Sequence, residues 1–426
     1  MTTDWTSIAT RLFDDIATLT RDPEQGITRE SYGAGENSAI SYLQKFAQDA
    51  GLSHHTDRAG NVIFQRPDDQ GRPALWCGSH FDSVPQGGNY DGLAGIIAGL
   101  LCLKQLHDAK IQLPYDVRVS GLIGEESAWF GKAYIGSRAL SGGLSAQDLA
   151  LTKRGSRVTL VDSLQAVGAD IAAIRRQEWL INPQQLAGYI EVHIEQADSL
   201  EHSGQPMGVV PGIRGNVRHN LIHCLGEDGH SGAVPREERH DAVFAVSELI
   251  SAIDQHWRNW TADGNDLVVT VGMLGTDATH HSVSRIPGDV RFSLEMRSLD
   301  DSTLKTFYNV VQHERRRIEA KRQVRFEFDK RINTRPAAMH LPWVEHTQWI
   351  MQQQGLDGAL TPSGAGHDAA VFANAGIPSI MLFVRNQHGS HNPYEAMRMD
   401  DFIKATTVLY DMLQTLPIGC TKAMHR

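Results

Sequence analysis

Four short runs hold residue types that bind metals and move protons. In GSHFDSVPQGGNYDG (78–92), His80 follows an apolar run, and Asp82 lies two residues on. On an extended chain both point the same way, so the carboxylate can orient the imidazole. Asp91 ends a Gly/Pro-rich loop and opens a helix, where it is placed to cap it. A histidine and an aspartate on stiff turns are preset ligands with little entropy left to lose. Read blandly, they are a surface histidine and a helix cap. In GLIGEESAWFG (121–131), Glu125 and Glu126 follow an apolar strand. Neighbouring side chains on extended backbone face opposite ways, so one can hold a metal while the other faces an attacking water. An acidic, solvated loop would look the same.

In YIEVHIEQADSLE (189–201), Glu191, His193 and Glu195 alternate with Ile190, Val192 and Ile194. That alternation predicts a strand with one wet face. A histidine flanked by carboxylates is also a well-supported ligand. The fourth run, 363–384 with 386–395, sets Gly-rich loops around a buried strand and puts His391 in a tight turn. Singly, His367, His388 and His391 read as surface residues. Together the runs offer two histidines, an aspartate, a glutamate and a further histidine at strand ends. A single zinc needs three or four ligands. Five with one bridging aspartate suit two metals about 3.5–4 Å apart.

The elements that must position these residues follow from periodicity. Residues 5–20 and 38–49 have helical apolar spacing, and 92–107 is a long apolar helix. Runs at 61–66, 74–80 and 117–126 read as strands. Strand–helix alternation predicts an α/β unit with a mixed, mostly parallel sheet, whose functional groups gather beyond the strand carboxyl ends. A break near 207–215 opens a second pattern: strand 218–226, helix 241–257, strands 266–274 and 289–297, helix 301–319, strand 324–329. Two helices on a four-stranded antiparallel sheet make a compact α+β domain. SIMLFV (379–384) then returns to the first type. The expected layout is a catalytic domain of residues 1–212 and 331–426, with residues 213–330 inserted.

The 426 residues suit two or three domains. A hydrophobic share of 41% is that of a globular chain, and the net charge of -10 argues against nucleic acid as partner. Cys77, Cys102, Cys224 and Cys420 lack CxxC spacing and read as reduced thiols. The first residues carry acids and no apolar core, and no stretch reaches membrane-spanning length. A cytoplasmic protein with no membrane partner is expected.

GSHFDSVPQGGNYDG, GEES, EVHIEQ, GHSGAVP, IPGDVRFSLEMR, SGAGHDA and GSHNPYE, in this order from 78 to 395, resemble the aminoacylase/glutamate-carboxypeptidase family of dizinc metallohydrolases. HIEQ and SGAGHDA resemble its branch of N-carbamoyl-L-amino-acid hydrolases, β-ureidopropionases and allantoate amidohydrolases. The resemblance implies an amidohydrolase acting on a small, carboxylate-bearing substrate. It implies two divalent ions per subunit, zinc or manganese, with cobalt and nickel as further candidates. His80, Asp91 and His193 would hold one, and Asp91, Glu126 and His391 the other. Glu125 would be the general base and Asp82 the support of His80. His230 would stabilise the oxyanion, in its own or a partner's site. Gln196 and Arg297 would bind substrate. The inserted domain would form a homodimer.

The chain departs from the family where GHAGTTPM is replaced by GHSGAVPR, at Ala233, Val234 and Arg236, and where Ser284 and Arg285 precede the IPG turn. These changes leave the metal chemistry intact and bear on the substrate. An N-acyl-amino-acid deacylase or a metallo-exopeptidase of the same family is the alternative enzyme. A binding protein that kept the fold would be expected to lose Glu125, Asp91 or His391, and all three are present.

Overall fold

The computed structural model describes residues 4–418, so Cys420 lies outside the described residues. Two compact units emerge. Residues up to Pro211 and from Ala338 onward form one, and Gly212–Ala337 the other.

The first unit is built on a seven-stranded sheet. Its strands run in the spatial order Ser53–Thr56, Val62–Gln65, Asp116–Leu122, Ala74–His80, Leu186–Ile194, Ser379–Val384 and Met207–Val210. The three middle pairings from Asp116–Leu122 to Ser379–Val384 are all parallel, and the outer pairings are antiparallel. The mixed, mostly parallel sheet read from the sequence is present. Parallel strands covered on both faces are apolar throughout. Every residue of Ala74–His80 and of Ser379–Val384 is buried. The helix Leu93–Asp108 packs on Ala74–His80 and against the helix Met399–Thr415. Its Leu, Ile and Ala side chains are buried nearly all round, each Leu or Ile contributing about 1.5–3 kcal/mol. Cys77 and Cys102 are free thiols in this core.

Leu186–Ile194 departs from expectation. All nine residues are buried, so its polar face is not wet. Glu191 accepts the Ser79 hydroxyl at 2.7 Å and the Ala369 amide at 2.7 Å. The alternation is that of a strand whose polar side faces a buried network. His367, read as a surface residue, is buried as well, with Nε2 3.0 Å from Ser363 Oγ.

The second unit carries an antiparallel sheet of six strands rather than four. The expected strand over 266–274 is cut at Gly272 into Val268–Thr270 and Leu274–Thr276, which both pair with Asp289–Ser298. Ile332–Thr334 adds a further pairing to Gly215–Leu225, beside Arg325–Phe328. One sheet face is covered by Ala242–Ala262 and Asp301–Arg322 around a core that includes Ile222, Phe292, Leu249 and Phe307. Asp241 caps the first helix and Asp300 the second by accepting first-turn amides. Cys224 is a free, buried thiol. No helix among the described residues is long and apolar enough to cross a membrane.

Candidate metal centre

The four parallel strands end at one edge of the first unit's sheet, and the candidate ligands converge there. His80 is the last residue of its strand, and its Nδ1 donates to the Asp82 carbonyl at 2.9 Å. His193 sits one residue before its strand's end, and its Nδ1 donates to the Ile194 carbonyl at 2.8 Å. With Nδ1 so committed, each ring turns Nε2 toward the other, 3.4 Å apart. Asp91 Oδ1 lies 3.4 Å from the first Nε2 and 3.1 Å from the second. The rings are only 2% and 1% exposed.

A second group shares the aspartate. His391 Nε2 stands 3.4 Å from Asp91 Oδ2 and 3.4 Å from Glu126 Oε1. In each group the donor atoms lie within 4.8 Å of one another. Glu125 Oε2 is 3.9 Å from His80 Nε2. The field is strongly negative. Burial lowers the pKa of His80 and His193, yet Glu125 and Asp82 around the first, and Asp91 beside the second, hold both above the ordinary value. The Asp91 and Glu126 carboxylates beside it push His391 up to about 11. Burial raises Glu125 well above the carboxylate range.

These residues fit divalent ions. Glu126 Oε1 is buried and makes no hydrogen bond. Such an atom is costly unless positive charge reaches it. Imidazole nitrogens and carboxylate oxygens are the donors that zinc and related ions take.

Two local expectations change. Asp91 does not cap the helix. Gly92 stands at the cap position with φ 68°, and the Asp91 carboxylate turns into the centre. A Cβ on Gly92 would sit 2.4 Å from His80 Cε1, so the close approach requires glycine. Asp82 holds His80 through its main-chain carbonyl, while its carboxylate is 3.5 Å from Nδ1. That carboxylate instead accepts the amides of Glu125 at 3.0 Å and Glu126 at 2.9 Å, and the Ser31 hydroxyl at 2.6 Å. It fixes the turn that splits the two glutamates.

Gln196, with φ 64°, donates its side-chain amide to Asp91 Oδ2 at 2.8 Å. His230 and Arg297 belong to the second unit. His230 is exposed, and its Nδ1 accepts the Gly232 amide at 3.2 Å. Arg297 pairs with Glu295 at 3.0 Å. A cavity of about 740 Å³ in that unit, lined by Asp228, His280, Arg285 and Arg291 among others, contains none of the candidate ligands.

Several supporting residues escaped the sequence reading. Arg29 is fully buried and donates to the Phe81 carbonyl at 2.7 Å and to Asn89 at 3.1 Å, bracing the Asp91 loop. Asp368 accepts the Ser137 hydroxyl at 2.5 Å, and burial lifts its pKa to about 7. Glu395 reaches the Asp91 loop from the far end of the chain. Only GSHNPYE hinted at it, as part of a motif.

A model for the family described as Peptidase family M20/M25/M40 matches residues 76–415. The chain belongs to peptidase family M20/M25/M40. An N-carbamoyl-L-amino-acid amidohydrolase of a Pseudomonas species is 27% identical over 404 residues, covering 94% of this chain and 95% of that one. Allantoate deiminase of Arabidopsis thaliana is 31% identical over 405 residues, covering 88% and 76%. The solved structure of a hydantoinase/carbamoylase family amidase from Burkholderia multivorans superposes with a TM-score of 0.86 at 26% identity, covering 96% and 97%. The family resemblance carried by HIEQ and SGAGHDA is thereby borne out, and this M20 chain is an amidohydrolase of carbon–nitrogen bonds. Metal dependence is general in the M20 family, and the two donor groups are consistent with it.

Proposed function

We propose that the chain is a dinuclear-metal amidohydrolase that cleaves the ureido or amide C–N bond of an N-carbamoyl-L-amino acid or allantoate. One observation carries this reading: the two oxygens of a single buried aspartate, Asp91, face two separate donor groups. The names of the relatives support the substrate class. In this reading His80, Asp91 and His193 hold one ion, and Asp91, Glu126 and His391 the other. Zinc or manganese suits these donors, as do cobalt and nickel. When bound, the ions supply Lewis acidity toward a water and the scissile carbonyl.

The chain's own groups do the rest. Glu125 takes the proton of the attacking water and returns it to the leaving nitrogen. Its burial favours the protonated form and so the uptake step. Asp82 holds Glu125 and Glu126 apart through their amides. His230 accepts at Nδ1, so its neutral ring carries the proton on Nε2 and can donate it to the oxyanion. Gln196 and Arg297 bind the substrate, the guanidinium fork being able to match a carboxylate with two parallel hydrogen bonds. The enzyme works in the cytoplasm as a homodimer formed through the second unit.

A metal-supplemented panel tests the reading: N-carbamoyl amino acids and allantoate scored by ammonia release, N-acyl amino acids and dipeptides by amine release. Turnover of a ureido compound is expected. Turnover confined to N-acyl amino acids or dipeptides would overturn the substrate class. Glu125→Gln should keep two metals and lose turnover by about 10²–10⁴-fold. Loss of metal in Glu125→Gln, with metal kept in Glu126→Gln, would reverse the two roles.

A further inference from the structure

Glu395 lies more than three hundred positions from Asp91 in sequence and is 7% exposed. Its Oε1 accepts the Tyr90 amide at 2.8 Å and the Asp91 amide at 3.2 Å. Its Oε2 accepts the Ser390 hydroxyl at 2.7 Å. That hydroxyl is also 2.5 Å from Asp91 Oδ2. The carboxylate packs against bare backbone, since a Cβ on Gly88 would meet the Glu395 carboxyl carbon at 2.1 Å. One side chain therefore grips the main chain of Asp91, and through Ser390 its carboxylate, while sitting four residues beyond His391.

We propose that Glu395 is a positioning residue that sets the Asp91 carboxylate between the two donor groups and ties the His391 loop to the Asp91 loop. This rests on the dinuclear reading of the centre. The physical reason is geometric. A bridging carboxylate must present its two oxygens to two partners at once, and a free aspartate rotates about two side-chain bonds. Fixing its amide and one oxygen removes that freedom before any ion arrives. The reach is also two-sided. Displacing the His391 loop would drag Ser390 off Asp91, so the ligands of the second group are set together.

The hydrogen-bond chemistry predicts which substitutions are tolerated. Ser390 has one hydroxyl proton and two carboxylate neighbours. In Glu395→Gln, Oε1 still accepts the two amides. Nε2 donates to Ser390 Oγ, and the serine proton goes to Asp91 Oδ2. Glu395→Ala removes every link, and Glu395→Asp is one methylene short of spanning both loops.

The test is a titration of chelator-stripped full-length protein with zinc or manganese alone, read beside thermal unfolding and amide hydrogen exchange of the metal-free forms. Glu395→Ala should bind metal about 10–100-fold more weakly, the usual effect of removing a ligand's support. It should lose kcat more than it raises KM. Glu395→Gln should restore both, and Ser390→Ala should fall between. Exchange at Tyr90 and Asp91 should speed up in Glu395→Ala and stay slow in Glu395→Gln. Wild-type metal affinity in a folded Glu395→Ala protein, or a Glu395→Gln protein as impaired as Glu395→Ala, would overturn the proposal. If Glu395→Ala does not fold, Glu395→Asp and Ser390→Ala decide in its place. If the wild type binds no metal, the dinuclear reading fails. The exchange measurement then decides whether Glu395 holds the loop.

Discussion

His80 and His193 reach Asp91 from the ends of buried parallel strands, whereas Glu126 and His391 reach it from loops. The first pair has each ring pinned by a main-chain carbonyl at 2.9 and 2.8 Å. The second depends on a turn held by Asp82 and on a loop in which His388, Gly389 and His391 all have positive φ, at 64°, 65° and 60°. The His391 side chain is 51% exposed. One half of the centre is preformed by the sheet, and the other is assembled by loop conformations that cost free energy to maintain. The half on loops should therefore bind its ion more weakly and exchange it faster.

The largest effect should come from the residue the halves share. Asp91→Ala should empty both groups, so elemental analysis of purified protein should approach zero equivalents and turnover should fall to background. One ion held at full affinity in that variant would show that the halves are independent. Next in size, His391→Ala should lose one equivalent and nearly all turnover while keeping the other ion. Chelator titration of the wild type should likewise remove metal in two steps, activity falling with the first. A single step, or retention of two ions by His391→Ala, would erase the distinction between the halves. The smallest effect should be Gly389→Ala. The added Cβ has room, 3.8 Å from the nearest atom, so only the left-handed backbone is penalised, by about 1–2 kcal/mol. The ion of the loop half should bind roughly tenfold more weakly, with the strand half unchanged. Equal weakening of both would show that the loop supports the whole centre.

The same contrast governs what could be read from the sequence. His80, Asp91, Glu125, Glu126, His193 and His391 stand in short local motifs beside apolar runs. Types and spacing brought out the motifs, and the family resemblance chose His391 over its neighbours and assigned the two glutamates. The supports were hidden because they act across the chain. Nothing near Arg29 in ITRESYG says that its guanidinium braces a loop sixty residues on. Nor does NPYE reveal that Glu395 grips the amide of Asp91. The wet face expected for Leu186–Ile194 failed because alternation reports polarity and not exposure. Asp91 looked like a cap because a residue before a helix and a residue in a site are written alike. In the second unit, Gly272 marked the break between Val268–Thr270 and Leu274–Thr276, a signal available in the sequence and passed over.

The strand Ser379–Val384 lies between Leu186–Ile194 and Met207–Val210, and it pairs with both. It is the last strand of that sheet to leave the ribosome, yet it is an interior one. Until it arrives, Met207–Val210 lacks its neighbour in the sheet, and the His391 loop does not exist. The order of synthesis and the order of assembly thus diverge, and closure waits on a pairing of long sequence separation, the slow kind. A chain interrupted before residue 379 would present two unpaired strand edges and half a centre. In the dinuclear reading, capture of the second ion would then be a late event in the life of each molecule, after the His391 loop has been made.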